Sequence, residues 1–403
     1  MKIFLFNAVP YGSTGKIVDG IAKIAQENGC ETLTYLSWTK NYRKSDRDDV
    51  MVGSFLGKLS HMVRARLTGK NGCYSKRDTK KLIKRLDKFK PDIINLHILH
   101  NWNINLPMLF NYIKKNNINV VWTFHDAWVF TGQCPFVNIA KCDKWKTGCY
   151  ECPQYKLYPM SYVDKSEKMY KLKKEWFTGV NNMTIVTPSK WLASLIPESF
   201  MKEYDVKVIN NGIDLEIFKP TESDFRKKHG LENKKIVLGV AFDWGKRKGL
   251  DVFCELAKRL PDSYQIVLVG TDDNIDKELP ENIISINRTA NQMELAEIYS
   301  VSDVFANPTR EDNFPTVNME ALACGTPIVT FKTGGSPEII DNTCGTVVDV
   351  DNVDSFEREI IRICEDKPYS CEACVAHARK FDRNDKFKEY IDLFEKIVDS
   401  NQN

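Results

Sequence analysis

No stretch of the 403 residues strings together ~18 apolar side chains, so no segment reads as a membrane-spanning helix. The opening MKIFLFNAV lacks the basic, apolar and small-residue regions of a secretory signal and has the pattern of a first β-strand, which sets the expectation of a cytoplasmic chain. A P-loop is missing too, although GSTGK at Gly12–Lys16 imitates one. Only Ser13 and Thr14 separate Gly12 from Gly15 where a phosphate-wrapping loop needs four residues, and Ile17 offers no hydroxyl to a metal. Internal repeats and low-complexity tracts are absent. Twelve cysteines are too few to make a secreted disulfide scaffold of a chain this long.

What is present is the composition of a soluble globular protein, 42% hydrophobic and 28% charged, with enough length for two domains. The net charge of +3 hides an asymmetry. Residues 1–200 hold 31 basic and 16 acidic side chains, whereas residues 201–403 hold 26 and 38. The basic excess is densest from Lys58 to Lys90, with twelve basic residues against Asp78 and Asp87. A solvated helix surface explains this, as does attraction to an anionic membrane face or to nucleic acid. Nucleic acid is the weaker partner, because bases need interleaved aromatics and this stretch offers little beyond Tyr74 and Phe89.

Strand-like runs alternate with helical patterns, as in parallel βαβ units. KIFLFNAV, DIINLHIL, NVVWTFH, MTIVTPS and VKVINNG lie in the first half; KIVLGVAF, QIVLVG, IISIN, VFANP, PIVTF and TVVDV lie in the second. The expected fold is α/β, two doubly wound parallel-sheet domains facing an interdomain cleft. The polar segment Gly212–Lys235 marks the junction, giving domains 1–212 and 213–380 and a closing amphipathic helix over 381–403, with Phe387, Tyr390, Ile391, Phe394 and Ile397 at helical spacing.

Two clusters carry candidate chemistry. Cys134, Cys142, Cys149 and Cys152 are spaced C-x7-C-x6-C-x2-C, which fits a structural zinc site, ordinary buried or free thiols, or a redox pair. The second is NPTREDNFPTVNMEALACGTPIVTF, residues 307–331. After a strand comes a polar loop, then Pro315 at a helix start, so amide N–H groups and the positive dipole end face the loop. Glu320 lies one turn in, placed for a ribose diol, and Glu311 and Asp312 stand at the loop for sugar hydroxyls. The bland alternative is a helix with stabilising carboxylates.

That segment resembles the signature of the retaining glycosyltransferase family 4, of the GT-B fold, in which an acid and a Glu eight positions later flank a short loop ahead of E-A-x-A-C-G-x-P. Asp312 and Glu320 hold those places here, with Glu311 one position early and Asn313, Phe314, Pro315 and Thr316 between. VINNGIDLEIFKP, containing Asn211, GGSPEII and WGKRKGLD are similar to further family stretches. The resemblance implies that Lys248 neutralises the donor diphosphate. Asp243 replaces the family's partner Arg, so Lys246 or Arg247 would supply the second cation. Gly12 and Gly15 would let backbone approach the diphosphate and acceptor, and His125 with Asp126, in VVWTFHDAW, would meet acceptor and sugar; His97 and His100 are weaker candidates.

The resemblance therefore implies transfer of a hexose from a UDP- or GDP-sugar to a hydroxyl of a lipid-linked glycan in cell-surface polysaccharide biosynthesis. No cofactor is implied, and no catalytic metal, since the Asp46–Asp48 D-x-D pair is of a kind expected by chance. The expected location is the cytoplasm or, peripherally, the cytoplasmic face of the membrane, with no nucleic-acid partner. An epimerase or hydrolase of nucleotide sugars on the same fold, and a non-enzymatic nucleic-acid binder, are the alternatives.

Overall fold

A computed structural model describes residues 1–8, 10–37 and 49–400. Asp46 and Asp48 lie outside the described residues. The chain forms two compact units: Met1–Asn210 with Asn384–Asn403, and Asn211–Arg383.

The first unit is a seven-stranded parallel sheet. Its strands are β1 (Lys2–Asn7), β2 (Glu31–Ser37), β3 (Asp49–Val52), β4 (Ile93–Leu96), β5 (Asn119–Thr123), β6 (Met183–Thr187) and β7 (Asp205–Val208), in the order β3-β2-β1-β4-β5-β6-β7. Side chains alternate across a strand, and both faces of this sheet are covered. Phe4 and Phe6 of β1 therefore enter one core cluster while Ile3 and Leu5 enter another, which is why β1 reads as a continuous apolar run. The strands β2 and β3 were not expected from the sequence. Thr32 and Thr34 interrupt the apolar pattern of β2 although both are buried.

Helix α1 (Gly12–Glu27) covers the second face with Ile17, Val18, Ile21, Ala22 and Ala25, a stripe at helical spacing. The C-terminal helix Arg383–Ser400 shares that core through Phe387, Tyr390, Ile391 and Phe394. Each such side chain, fully buried, contributes about 2 kcal/mol as an upper estimate. The two helices meet where α1 has no side chain: a Cβ on Gly20 would stand 2.1 Å from the Phe387 ring. Helices α2 (Phe55–Thr68) and α3 (Lys76–Phe89) fill the connection from β3 to β4. Ser54 caps α2 by accepting from Gly57 N–H at 3.1 Å, and Gly69, at φ 68°, ends it.

The second unit is a six-stranded parallel sheet in the order β10-β9-β8-β11-β12-β13. These are β8 (Lys235–Val240), β9 (Tyr264–Val269), β10 (Ile283–Ile286), β11 (Val304–Asn307), β12 (Ile328–Phe331) and β13 (Gly345–Val348). Ile236 and Leu238 of β8 enter one core and Val237 the other. In both units the strand order reverses beside the first strand. The crevice for a ligand in such a sheet opens at that reversal, beyond the strands' carboxyl ends: at β1/β4 in one unit and at β8/β11 in the other.

Candidate functional site

In the second unit two loops meet at the reversal, one after β8 and one after β11. Their backbones touch. Gly249 has φ 76°, and a Cβ there would lie 2.4 Å from the carbonyl oxygen of Pro308, so only glycine serves. Arg310 N–H donates to the Arg247 carbonyl at 2.8 Å, and the Arg310 guanidinium ties the Lys246 carbonyl to Asp251 and Asp351. This clamp was not expected from the sequence, because its partners are 41 to 64 residues away.

Across the join, Lys248 Nζ donates to Asp312 Oδ2 at 2.5 Å. Both side chains keep about a fifth of their surface open to solvent, 17% for Lys248 and 20% for Asp312. The carbonyl of Asp312 packs on Gly334, φ 52°, where a Cβ would come within 1.8 Å, so the loop after β12 also leaves room for this turn. The neighbouring acid behaves differently. Glu311 is buried at 3% exposure, and its carbonyl accepts from Arg247 Nη1 at 3.3 Å and from Thr309 Oγ1 at 3.2 Å. Arg247 also faces Asp243 at 3.8 Å, while Lys246 is exposed.

The helix Thr316–Ala323 starts directly after this loop. Pro315 precedes it, no side chain caps it, and no acidic residue stands in its first turn, so its amide end keeps its positive character. Glu320 is buried at 8% exposure, with Tyr299 O–H donating to its Oε2 at 3.5 Å. Burial and the adjacent Glu320 raise the Tyr299 phenol well above its ordinary range, so it stays a donor. Asn211 Nδ2 holds the Phe314 carbonyl at 3.0 Å, while Asn313 and Thr316 remain partly exposed. Asn318 Nδ2 and Ser336 Oγ are buried without a hydrogen-bond partner.

In the first unit imidazoles cluster at the ends of β4 and its neighbour β5, beside the reversal. Asn95 Nδ2 donates to the Val121 carbonyl at 3.0 Å, which turns its Oδ1 toward His97 Nε2 at 2.8 Å. His97 Nε2 therefore carries a proton and its Nδ1 accepts from His125 Nε2 at 2.9 Å, leaving Nδ1 of His125 as the lone-pair nitrogen. Burial, and then the neighbouring His100, lowers His125 to about 4; burial and His125 hold His97 well below its ordinary value. Beside this pair, His100 Nε2 lies 3.5 Å from Asp126 Oδ2, and Asp126 Oδ1 accepts from Trp128 N–H at 2.9 Å. His97 and His100, the weaker candidates in the sequence, are thus the direct partners of His125 and Asp126. Gly12 opens α1 at φ 74° with open space where a Cβ would project, and Gly15 is buried within the helix.

Zinc at the four cysteines is not supported. Cys134, Cys142, Cys149 and Cys152 surround one small, mostly apolar pocket with Val137 and Trp145. Zn–S bonds of about 2.3 Å require sulfurs about 3.8 Å apart. Among the described residues the one trio of ligand atoms all within 4.8 Å of one another is that of Asp341, Cys344 and His377, and no three of the clustered thiols meet that spacing. The loop is held by other means: Cys149 Sγ accepts from Gly132 N–H at 3.1 Å, and the fully buried Lys173 donates to the carbonyls of Trp128 and Thr131 at 2.6 and 3.0 Å. Desolvation pushes that ammonium down to about 7.

A hollow of about 530 Å³ lined by Gly179, Met183, Tyr204 and Ile397 sits at the amino ends of β6 and β7, the end of such a sheet that does not form the ligand crevice.

Residues 38–217 match the family described as Glycosyltransferase Family 4, and residues 221–381 match Glycosyl transferases group 1. A curated relative from Escherichia coli K12, described as the colanic acid biosynthesis glycosyl transferase WcaC, is 24% identical over 273 residues, which is 65% of each chain. The chain thus spans just under two thirds of that relative's length. Among solved structures, sucrose-phosphate synthase from Thermosynechococcus elongatus superposes with a TM-score of 0.72 at 14% identity, covering 99% of this chain and 100% of that one. Anabaena Alr3699/HepE in complex with UDP-glucose does so at 0.68 and 15% identity, covering 98% and 100%. These likenesses are of fold.

Proposed function

The chain belongs to glycosyltransferase family 4, and from that premise we propose that it moves a hexose from a UDP- or GDP-sugar to a hydroxyl of a lipid-linked glycan, with retention at the anomeric carbon, in the building of a cell-surface polysaccharide. One observation carries the reading: Lys248 and Asp312 pair at 2.5 Å across the strand reversal of the second unit, directly ahead of an uncapped helix. The UDP-glucose complex of a fold relative supports the donor class, and the name of the Escherichia coli relative supports polysaccharide assembly.

The costly event in such a transfer is departure of the diphosphate. Negative charge builds on its β-phosphate as the anomeric carbon becomes cationic, and fixed positive groups that need not reorganise lower that barrier. Lys248, with Arg247 or Lys246, and the amide end at Thr316 serve that purpose, so side chains and a helix dipole do the work without a metal. Gly12, with open space beside it, admits the diphosphate's approach by backbone, while Gly15, buried within α1, does not face it. Asp312, held by Lys248, and Asn313 take sugar hydroxyls; Glu311 is too buried to reach them directly and fixes the loop. Glu320, with its Tyr299 hydrogen bond, takes the ribose diol, and Phe314 and Pro315 shape the turn. The acceptor hydroxyl attacks from the face that the leaving group vacates: its oxygen bonds to the anomeric carbon, the carbon–phosphate oxygen bond breaks, and the hydroxyl proton passes to the departing phosphate oxygen. His125, neutral with Nδ1 as acceptor, and Asp126 orient that hydroxyl. Transfer from a panel of nucleotide sugars by wild type, Lys248→Ala and Glu320→Ala tests the reading, which fails if each variant stays within about tenfold of wild type.

A further inference from the structure

Helix α2 is turned the wrong way for a helix of a globular domain. At about 100° per residue, Leu56, Leu59, Val63 and Leu67 fall within about 80° of one another. All four are exposed, by 73, 37, 43 and 59%. The opposite side, with buried His61 and Ala65, rests on the protein: His61 Nδ1 meets Ser75 Oγ at 2.7 Å, and Gly57 lies against Asp78. An amphipathic helix normally buries its leucines and shows its polar residues. Here the small and polar face is docked and the leucine ridge is presented.

The ridge continues past the helix. Tyr162 N–H and Ser161 Oγ donate to the Arg66 carbonyl at 2.8 and 3.1 Å, which fastens the exposed Tyr162 and Val163 at the end of α2. With Phe55, this surface holds close to half of the large exposed apolar side chains among the described residues. Arg64, exposed with its guanidinium over the Tyr74 ring, flanks the ridge on one side, while Arg66 is turned toward Trp102. Helix α3, against which α2 leans, raises the count to twelve basic residues between Lys58 and Lys90. Of the two acids in that span, Asp87 accepts from Tyr112 O–H at 2.8 Å and Asp78 is turned to Gly57.

We propose that α2 with the Tyr162 loop is a docking face for an anionic phospholipid bilayer, the leucine ridge entering the boundary between headgroups and acyl chains and the basic flanks meeting the headgroups. Charge selects this occupant. A second copy joined through the same patch would set two strongly basic surfaces face to face. A nucleic acid would satisfy the bases but leave the leucines in water. The inference deepens the lipid-linked acceptor reading and rests on it for its purpose, since a face that holds the enzyme at the bilayer keeps it where such an acceptor resides.

Co-sedimentation of the full chain with phosphatidylcholine vesicles, with and without about 30% phosphatidylglycerol, is the test. Wild type should bind the anionic vesicles, bind neutral ones weakly, and lose binding at high salt. The double variant Leu56→Asp/Val63→Asp should bind at least about tenfold more weakly, because its ridge is now charged, and Lys80→Glu/Lys84→Glu should do likewise with the ridge intact. Both variants should keep the wild-type circular dichroism spectrum and the thermal shift given by UDP and GDP. Equal vesicle binding by wild type and both variants overturns the proposal, as does a concentration-dependent dimer in ultracentrifugation that Leu56→Asp/Val63→Asp abolishes. Failure of the wild-type chain to bind anionic vesicles alongside intact Lys248-dependent transfer sinks this inference alone; docking without transfer from any nucleotide sugar sinks the proposed function alone.

Discussion

The two units share a topology and differ in chemistry at the same place. Each sheet reverses beside its first strand; the second unit presents its candidate residues from the loops after the two strands flanking the reversal, the first from β4 itself and from the ends of β4 and the neighbouring β5. In the second unit those residues are a charged pair, Lys248 and Asp312. In the first they are a hydrogen-bonded chain from the Asn95 amide to the imidazoles of His97 and His125, which burial keeps neutral. The fold therefore decides where a ligand sits, and side chains decide which one. Fixed charge suits a diphosphate, while a neutral hydrogen-bonding chain suits hydroxyls.

Breaking the charged half should have the largest effect. Lys248→Ala is expected to lower kcat for transfer by about a hundredfold or more, with Lys248→Arg recovering part of it, measured in steady-state assays with the best donor from the panel. Gly249→Ala should come next, by about tenfold or more, because its Cβ would push on the Pro308 carbonyl and separate Lys248 from Asp312. A normal rate in that variant would mean that the meeting of the two loops does not set the geometry.

The neutral half should respond differently. His97→Ala leaves His125 Nε2 without its acceptor and is expected to raise KM for the glycan acceptor by about tenfold while leaving donor affinity unchanged. Acid sensitivity offers a second contrast. The folded-state value of His125, about 4, lies below its ordinary 6.5, so between those values the unfolded chain binds more protons. Stability should fall as pH is lowered through that window, and His125→Gln should flatten the slope, as chemical denaturation at a series of pH values would reveal. The smallest effect concerns the scaffold alone. Gly20→Val would force the Phe387 ring off α1 and cost about 1–3 kcal/mol in denaturant unfolding, with catalysis by the remaining folded fraction little changed.

Much of this was legible beforehand. Continuous apolar runs such as KIVLGVAF announce strands buried on both faces, because nothing polar needs to point outward. ETLTYLS escaped notice because Thr32 and Thr34 are buried with their hydroxyls, and the four-residue β3 is too short to carry a pattern. Of the candidate residues, Lys248, Asp312 and His125 could be named from local motifs. Arg310, Gly334 and His97 could not be given their places, since each acts on a partner brought in from another loop. The cysteine spacing left zinc, ordinary thiols and a redox pair open, and the structure favours ordinary thiols: the four converge on one pocket without the separation a tetrahedral ion requires.

By itself the sequence determined two doubly wound sheets and the residue types available at their strand ends, because hydrophobic periodicity and turn chemistry act over a few residues. Only the tertiary structure decided which acid meets Lys248, which imidazole carries which proton, and that α2 shows its leucines to the outside. Those outcomes depend on contacts between segments far apart in the chain, and on which face of an element its neighbours cover.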